Sequence, residues 1–222
     1  MSSTARLIDV SHTVEHGMIT YKGFPAPIIC DWLSREASRA RYEDAEFHIG
    51  KIEMIANTGT YVDSPFHRYE HGKDMSELPL ESVADLDCVV IRVDPRGPAS
   101  IDEIPLTPND VRGRAVLFHT GWDRHWRTGA YFEGHPHLTE RAAEWLAKAG
   151  AALVGIDSMN IDSIATGRRP VHSILLGNEI PIVEHMRGLA AAPDRGGRFS
   201  AVPVKVKGLG TFPVRAFIST RS

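Results

Sequence analysis

Asn57-Thr-Gly-Thr-Tyr61-Val-Asp63-Ser-Pro-Phe-His67 is the stretch on which the reading of this chain turns. It gathers an amide, a phenol, a carboxylate and an imidazole around one glycine and one proline. If residues 59–62 are extended, Tyr61 and Asp63 point to one side of a strand and Val62 to the other. Polar, titratable groups sharing one face mark a candidate site.

The stretch has a partner near the C-terminus. His172 follows Pro170, and Glu184 closes the apolar run Ile180-Pro-Ile-Val183. An aspartate, a histidine and a glutamate drawn from distant strands can together hold one divalent cation of the zinc, manganese or iron type. Read singly, each has an ordinary role: Tyr61 as a strand aromatic, Asn57 as a turn residue, His67 at the surface, His172 in a core hydrogen bond, Glu184 at a helix end.

Further along, Leu7-Ile-Asp-Val-Ser-His12, Gly121-Trp-Asp123, Gly155-Ile-Asp-Ser158, Pro170-Val-His172, Leu175-Leu-Gly177 and Pro213-Val-Arg-Ala216 extend the pattern over nearly the whole chain. Together with the 57–67 run they resemble the cyclase family, which includes bacterial kynurenine formamidases and isatin hydrolase. The resemblance implies an α/β fold: a single domain over residues 1–222 with a mixed, strongly curved β-sheet core and flanking helices, of the swivelling β/β/α type. It also implies a homodimer or tetramer. The family's metal-binding run reads His, three residues, His, one residue, Asp, three residues, His. In this register Asn57 and Tyr61 stand where the first two histidines are expected, Asp63 falls on the metal-bridging aspartate, and His67 on the proton-transfer histidine. His172 and Glu184 match the later pair of ligands.

Two expectations follow from the two missing imidazoles. In one, a single ion rests on Asp63, His172 and Glu184 with open positions for water and substrate. In the other there is no metal, Asp63 or Glu184 orients His67 or His172 as a general base, and Tyr61 and Asn57 donate to a developing oxyanion. The cofactor expectation is accordingly one divalent cation (manganese, zinc or iron) or none, with an atypical or absent metal in either case.

Composition bounds the alternatives. At 222 residues the chain is one large domain or a closely fused pair, able to bury a sizeable core. A formal charge of −3 gives no sign of a nucleic-acid partner. Cys30 and Cys88 form no paired metal motif, and the opening Met-Ser-Ser-Thr-Ala-Arg is too short to target secretion, so a reduced cytoplasm is expected. No apolar run approaches the roughly 20 residues needed to cross a bilayer, and a soluble protein without a membrane partner is expected.

Strands are expected at 6–11, 47–54, 88–93, 115–119, 152–156 and 214–218. A Gly/Pro-punctuated arm over 17–27 carries Tyr21 and Phe24, able to line a planar substrate or to cross to a partner subunit. One long helix is expected from Glu140 to Ala149, with Thr139 as N-cap, Ala142, Leu146 and Ala149 on one face, and Gly150 as its stop. A short helix is expected at Pro108-Asn-Asp-Val111, turning at Gly113. Asp157, at a strand end, reads either as support behind a site or as a turn cap. His135 and His137 read as a packed loop, and Lys205-Val-Lys-Gly-Leu-Gly210 lacks the order of a phosphate loop.

The resulting expectation is a hydrolase of the cyclase family cutting the C–N amide or lactone/ester bond of a small cyclic or acylated carboxylic compound. His67, Asp63 and Tyr61 are the catalytic candidates. Asn57, Tyr21, Phe24 and Trp122 are the substrate contacts, and Asp63, His172 and Glu184 the metal ligands. The alternatives are a metal-independent lyase or isomerase using His67, or a noncatalytic small-molecule binding protein.

Overall fold

The computed structural model describes residues 6–220. The first five residues, which belong to the opening segment discussed above, lie outside it. The strands in chain order are β1 Arg6–Asp9, β2 Ile28–Leu33, β3 Ile49–Glu53, β4 Tyr61–Asp63, β5 Leu86–Arg92, β6 Ser100–Ile101, β7 Ala115–His119, β8 His137–Leu138, β9 Leu153–Ile156, β10 Ile182–Glu184, β11 Arg195–Ser200, β12 Thr211–Pro213 and β13 Phe217–Thr220. Four α-helices join them: α1 Arg35–Ser38, α2 Pro108–Val111, α3 Glu140–Ala149 and α4 Pro170–Gly177.

Nine strands form one mixed, strongly curved sheet in the order β1-β13-β11-β5-β7-β9-β10-β4-β12. Its middle, β5-β7-β9-β10, is parallel, and every other pair is antiparallel. The parallel strands are buried on both faces and so read as nearly continuous apolar runs. Their alternation sorts side chains into two cores. Cys88, Val90, Leu117, Leu153 and Val183 face one; Val89, Ile91, Val116, Phe118, Val154, Ile156 and Ile182 face the other, where α3 and α4 cover the sheet.

Helix α3 forms as its sequence predicts. The Thr139 hydroxyl accepts from the Ala142 amide, Ala142, Leu146 and Ala149 are buried, and Gly150 ends the helix in the left-handed region at φ +80°. Pro108–Val111 is likewise a short helix, and Gly113 turns at φ +68°.

Elsewhere the structure departs from the sequence reading. The apolar run at 214–218 is not one strand: it straddles the gap between β12 and β13. Pro213 has no amide to continue a ladder, so the chain leaves β4 there and pairs with β1 and β11 from Phe217 onward. Helix α4 was hidden because Pro170 reads as a breaker, yet at the first helical turn proline's missing amide costs nothing. Strand β2 also went unread, because it pairs only with β3 in a separate two-stranded ribbon and shows no in-out alternation.

His12, just after β1, is packed where protonation is disfavoured. Its ring stacks on Trp126 with centroids 3.8 Å apart, and its buried Nε2 has no hydrogen-bond partner among the described residues. Burial, aided by Arg187, lowers its pKa from 6.5 to about 3. Between those values the unfolded chain binds the proton and the folded chain does not, so this contribution to stability is complete above pH 6.5 and is lost as pH falls toward 3. Replacing His12→Gln should flatten the acid limb of the stability profile across that window, as read by urea melts from pH 7 to 4. A variant limb as steep as the wild type's would rule His12 out as its source.

Candidate metal centre

The site is assembled on the α4 side of the sheet, where three neighbouring strands present polar ends. Strand β4 lies between β10 and β12, with Asp63 opposite both Ile182 and Thr211, and Tyr61 opposite Glu184. Because the pleat repeats every two residues, Tyr61 and Asp63 share one face while Val62 enters the opposite core. The cross-strand pair meets directly: the Tyr61 hydroxyl donates to Glu184 Oε2 at 2.5 Å. Immediately after β4, Pro65 starts a single 3₁₀ turn over Pro65–His67 that swings His67 back over the strand it has just left. The turn needs room at Gly210, where a Cβ would lie 2.3 Å from the His67 amide nitrogen.

His172 comes from α4 and is fixed from behind. The Asp162 carboxylate accepts from the Val171 and His172 amides at 2.9 Å each and lies 2.6 Å from His172 Nδ1. With the Nδ1 proton given to Asp162, the Nε2 lone pair faces forward. His67 is set the same way. The Thr211 hydroxyl donates its one proton to Asp63 Oδ1 at 2.6 Å, so at 2.9 Å His67 Nδ1 must be the donor to Thr211, leaving His67 Nε2 bare. Asp63 Oδ2 is buried with no hydrogen-bond partner among the described residues. An orphaned carboxylate oxygen and two oriented imidazole lone pairs therefore converge, and the ligand atoms of Asp63, His67 and His172 lie within 4.8 Å of one another. Two imidazoles and a carboxylate suit zinc, manganese or iron, and three protein ligands leave coordination positions open.

Electrostatics favours a cation here. Asp63, Asp162 and Glu184 are each no more than 1% exposed, and all three carboxylates surround His172. Burial alone would depress the His172 pKa, but Glu184, Asp162 and Asp63 outweigh it and hold it up at about 10. Burial pushes Glu184 up to about 7, with His172 opposing and Asp63 adding to the rise. For Asp63 the burial penalty is overcome by His67 and His172, and its pKa is lowered. Unpaired buried charge is expensive, and a divalent ion neutralises this cluster more completely than one proton on His172.

This arrangement corrects the expectation of a site with two replaced histidines and an atypical or absent metal. The candidate ligand set is the intact triad Asp63, His67 and His172, which requires no histidine at positions 57 and 61. The metal-free lyase and the noncatalytic binder rested on a depleted ligand set and fall with it. The physical reason is the 3₁₀ turn: counting along the strand cannot reveal that His67 folds back onto Asp63. Glu184, expected among the ligands, stands 3.6 Å from His172 Nε2, with Oε2 taken by Tyr61 and Oε1 by the Ile161 amide at 2.6 Å.

A pocket of about 310 Å³ opens above the triad, lined by Tyr21, Phe24, Asn57, Tyr61, Arg68, Asn160 and Arg169 together with His67, His172 and Glu184. Tyr21 and Phe24, stacked with centroids 5.3 Å apart, reach it from the 17–27 arm of the same chain. Trp122 is not part of this lining; its indole donates to the Tyr131 carbonyl and its ring packs on His125. Asp157 accepts from the Thr120 amide and hydroxyl and the Gly121 amide, which is the turn-capping role. His135 lies in a packed loop, but His137 opens β8 and pairs with Ser100; their rings bond to the Asp162 and His135 carbonyls. Sequence reasoning missed Asp162, Arg68, Asn160 and Arg169. Asp162 sits in the loop after β9, and only the position of α4 gives it a role.

A family model described as putative cyclase matches residues 8–163. The chain belongs to the cyclase family, an enzyme family. It is 28% identical to a kynurenine formamidase of Bacillus cereus over 223 aligned positions, covering 97% of this chain and 98% of the relative. It is 27% identical to a kynurenine formamidase of Salinibacter ruber, covering 96% of each. Among solved structures, isatin hydrolase A from Labrenzia aggregata shares the fold with a TM-score of 0.79 at 21% identity, over 98% of this chain and 94% of that one. A potential metal-dependent hydrolase with cyclase activity superposes with a TM-score of 0.77 at 24% identity, over 99% and 100%. No helix among the described residues is long and apolar enough to cross a membrane.

Asp162→Asn keeps the shape behind His172 and removes the charge that orients it. Metal affinity should fall by about 10–100-fold, the usual effect of losing such a partner, while the fold persists by circular dichroism. Calorimetric titration with zinc and manganese measures this, and unchanged affinity would deny Asp162 an orienting role.

Proposed function

We propose that this chain is a metal-dependent hydrolase that opens the acyl C–N or C–O bond of a small cyclic or acylated compound. The observation that carries the reading is the convergence of Asp63 with His67 and His172, whose two imidazoles line a pocket. The names of its relatives support the same reaction class.

Asp63 Oδ2, His67 Nε2 and His172 Nε2 would hold the ion. When bound, a divalent cation there supplies a Lewis acid for the scissile carbonyl and lowers the pKa of water toward neutrality. Glu184, beside His172 and poised near neutrality by burial, takes a proton from the attacking water. It returns that proton to the departing nitrogen or oxygen, so water is split between the acid and the released amine or alcohol. The Tyr61 hydroxyl holds Glu184 Oε2 and fixes its orientation. Asn57 is positioned to donate to the substrate carbonyl, and Tyr21 and Phe24 cover a planar group and exclude water. His67, first read as the proton carrier, serves here as a ligand, because its Nδ1 proton is committed to Thr211.

Chelation should abolish hydrolysis of formanilide or a simple aryl lactone, and zinc or manganese should restore it. Glu184→Gln should lower kcat by about 10²–10⁴-fold, the range for a positioned general base, while elemental analysis still finds the metal. Full activity in exhaustively metal-free protein would end the hydrolase reading, and loss of metal in Glu184→Gln would make Glu184 a ligand.

The reading extends to a homodimer or tetramer. The β2–β3 ribbon carries Ile28, Ile29, Ile49, Ile52 and a 74% exposed Trp32, and a two-stranded ribbon alone is marginal in water. A second copy is the cover that the family resemblance suggests. Sedimentation as a monomer at micromolar concentration would remove this part of the reading. Two free thiols, Cys30 exposed and Cys88 buried, accord with a cytoplasmic enzyme.

A further inference from the structure

The pocket above the triad has a charge pattern that catalysis does not explain. Two guanidinium groups, Arg68 and Arg169, form part of its wall. Among the described residues neither makes an ion pair with a carboxylate. Arg68 spends one donor, Nε, on the Ser173 hydroxyl at 3.0 Å and lies over the Tyr69 ring at 5.2 Å. Arg169 is anchored through Nη1, which donates to the carbonyls of Ser163, Thr166 and Arg168, and its side chain also bonds the Tyr21 hydroxyl. Each arginine thus has a fixed side and spare donors, the arrangement that suits an incoming planar anion. Glu184 is the only acidic residue in the lining, and it stands beside His172 at the metal site, held by Tyr61 and the Ile161 amide. The wall therefore offers places for a carboxylate and none for an ammonium group. Tyr21 and Phe24 add an apolar, ring-sized surface. A volume near 310 Å³ lies at the small end of the roughly 300–1,000 Å³ range of ligand pockets, which suits a single-ring molecule.

We propose that Arg68, with Arg169 beside it, is the specificity determinant, selecting substrates that carry a non-reacting carboxylate on a planar-ring scaffold and lack an ammonium group. The proposal rests on the hydrolase reading for what happens at the other end of the molecule. It concerns only which molecules are held. The carboxylate stays on the arginines while the acyl group lies over the triad, so the anchor acts on binding and leaves the bond-breaking step to Glu184 and the metal ligands.

The test uses the full, metal-loaded chain and three unreactive probes in calorimetric titration: 3-phenylpropanoate, its amide, and phenylalanine. The propanoate should bind about 10-fold or more tightly than the amide, the gain expected from a charge-assisted hydrogen bond. Phenylalanine, which adds an ammonium group, should bind more weakly than the propanoate. In Arg68→Met, which keeps the apolar stem, the preference for the anion should collapse; Arg68→Lys should recover part of it. Arg68 is exposed and Arg169 holds its loop, so Arg68 is the position to alter, and an unchanged melting temperature checks the fold. An anion preference that survives in Arg68→Met would place the carboxylate on another cation, Arg169 or the metal, and overturn Arg68 as the determinant. Equal binding of propanoate and amide, or no binding of either, would also overturn it, and phenylalanine binding as well as the propanoate would overturn the exclusion of ammonium. In parallel, KM for 4-formamidobenzoate should lie below that for formanilide in the wild type alone, with kcat little changed between Arg68 variants. If neither compound is hydrolysed while the anion preference holds and depends on Arg68, the arginine anchor stands and the hydrolase reading fails.

Discussion

Three carboxylates buried around one imidazole form the constraint on which the rest of this structure depends. Asp63, Asp162 and Glu184 are held out of water beside His172, a placement tolerable only if positive charge sits among them. Other features of the site follow from that demand. Asp162 is satisfied by two amides at the start of α4 and by the His172 ring, which fixes which nitrogen faces forward. Glu184 is satisfied by a phenol and an amide. Asp63 keeps one oxygen without any partner among the described residues, and that oxygen is turned toward the two imidazoles.

The sheet makes this concentration of charge possible by precision of register. Tyr61 meets Glu184, and Thr211 meets Asp63, because β4 is held between β10 and β12 with no slip. A shift of one residue would exchange Val62 for its polar neighbours and drive carboxylates into an apolar core. Rigid strands thus fix the acidic groups, while a single 3₁₀ turn and the first turns of α4 bring in the imidazoles. The polar floor is narrow, and the wall above it is supplied by the 17–27 arm and by arginines from two loops. The strands hold Tyr61, Asp63 and Glu184 in place, whereas the residues above them come from loops and the arm.

Much of the scaffold could be read from the chain. Short runs of branched apolar residues identified β5, β7 and β9 within a residue or two, and the Thr139 cap with the Gly150 stop marked α3 at both ends. What escaped did so for definite reasons. A helix that begins on proline looks like a break, a strand that ends on proline looks joined to the next apolar run, and the β2–β3 ribbon lacks a buried face to impose a period. At the site, Asp63 and His172 were identified as ligands by type and register. Asp162 carries no signal of its own, since an aspartate in a loop is ordinary until a helix terminus and an imidazole are set against it.

The sequence by itself determined the central strands, helix α3, the family pattern and the polar residues that had to share the face of one strand, because period and capping are local properties of a chain. Only the tertiary structure decided that His67 joins Asp63 and His172 as an intact triad, that Glu184 lies against Tyr61, and that Arg68 and Arg169 overlook the same pocket. Those outcomes depend on distances between residues far apart in the chain, or on the direction taken by a turn. Such distances are set by how two cores pack against opposite faces of a curved sheet, a property that no local pattern encodes.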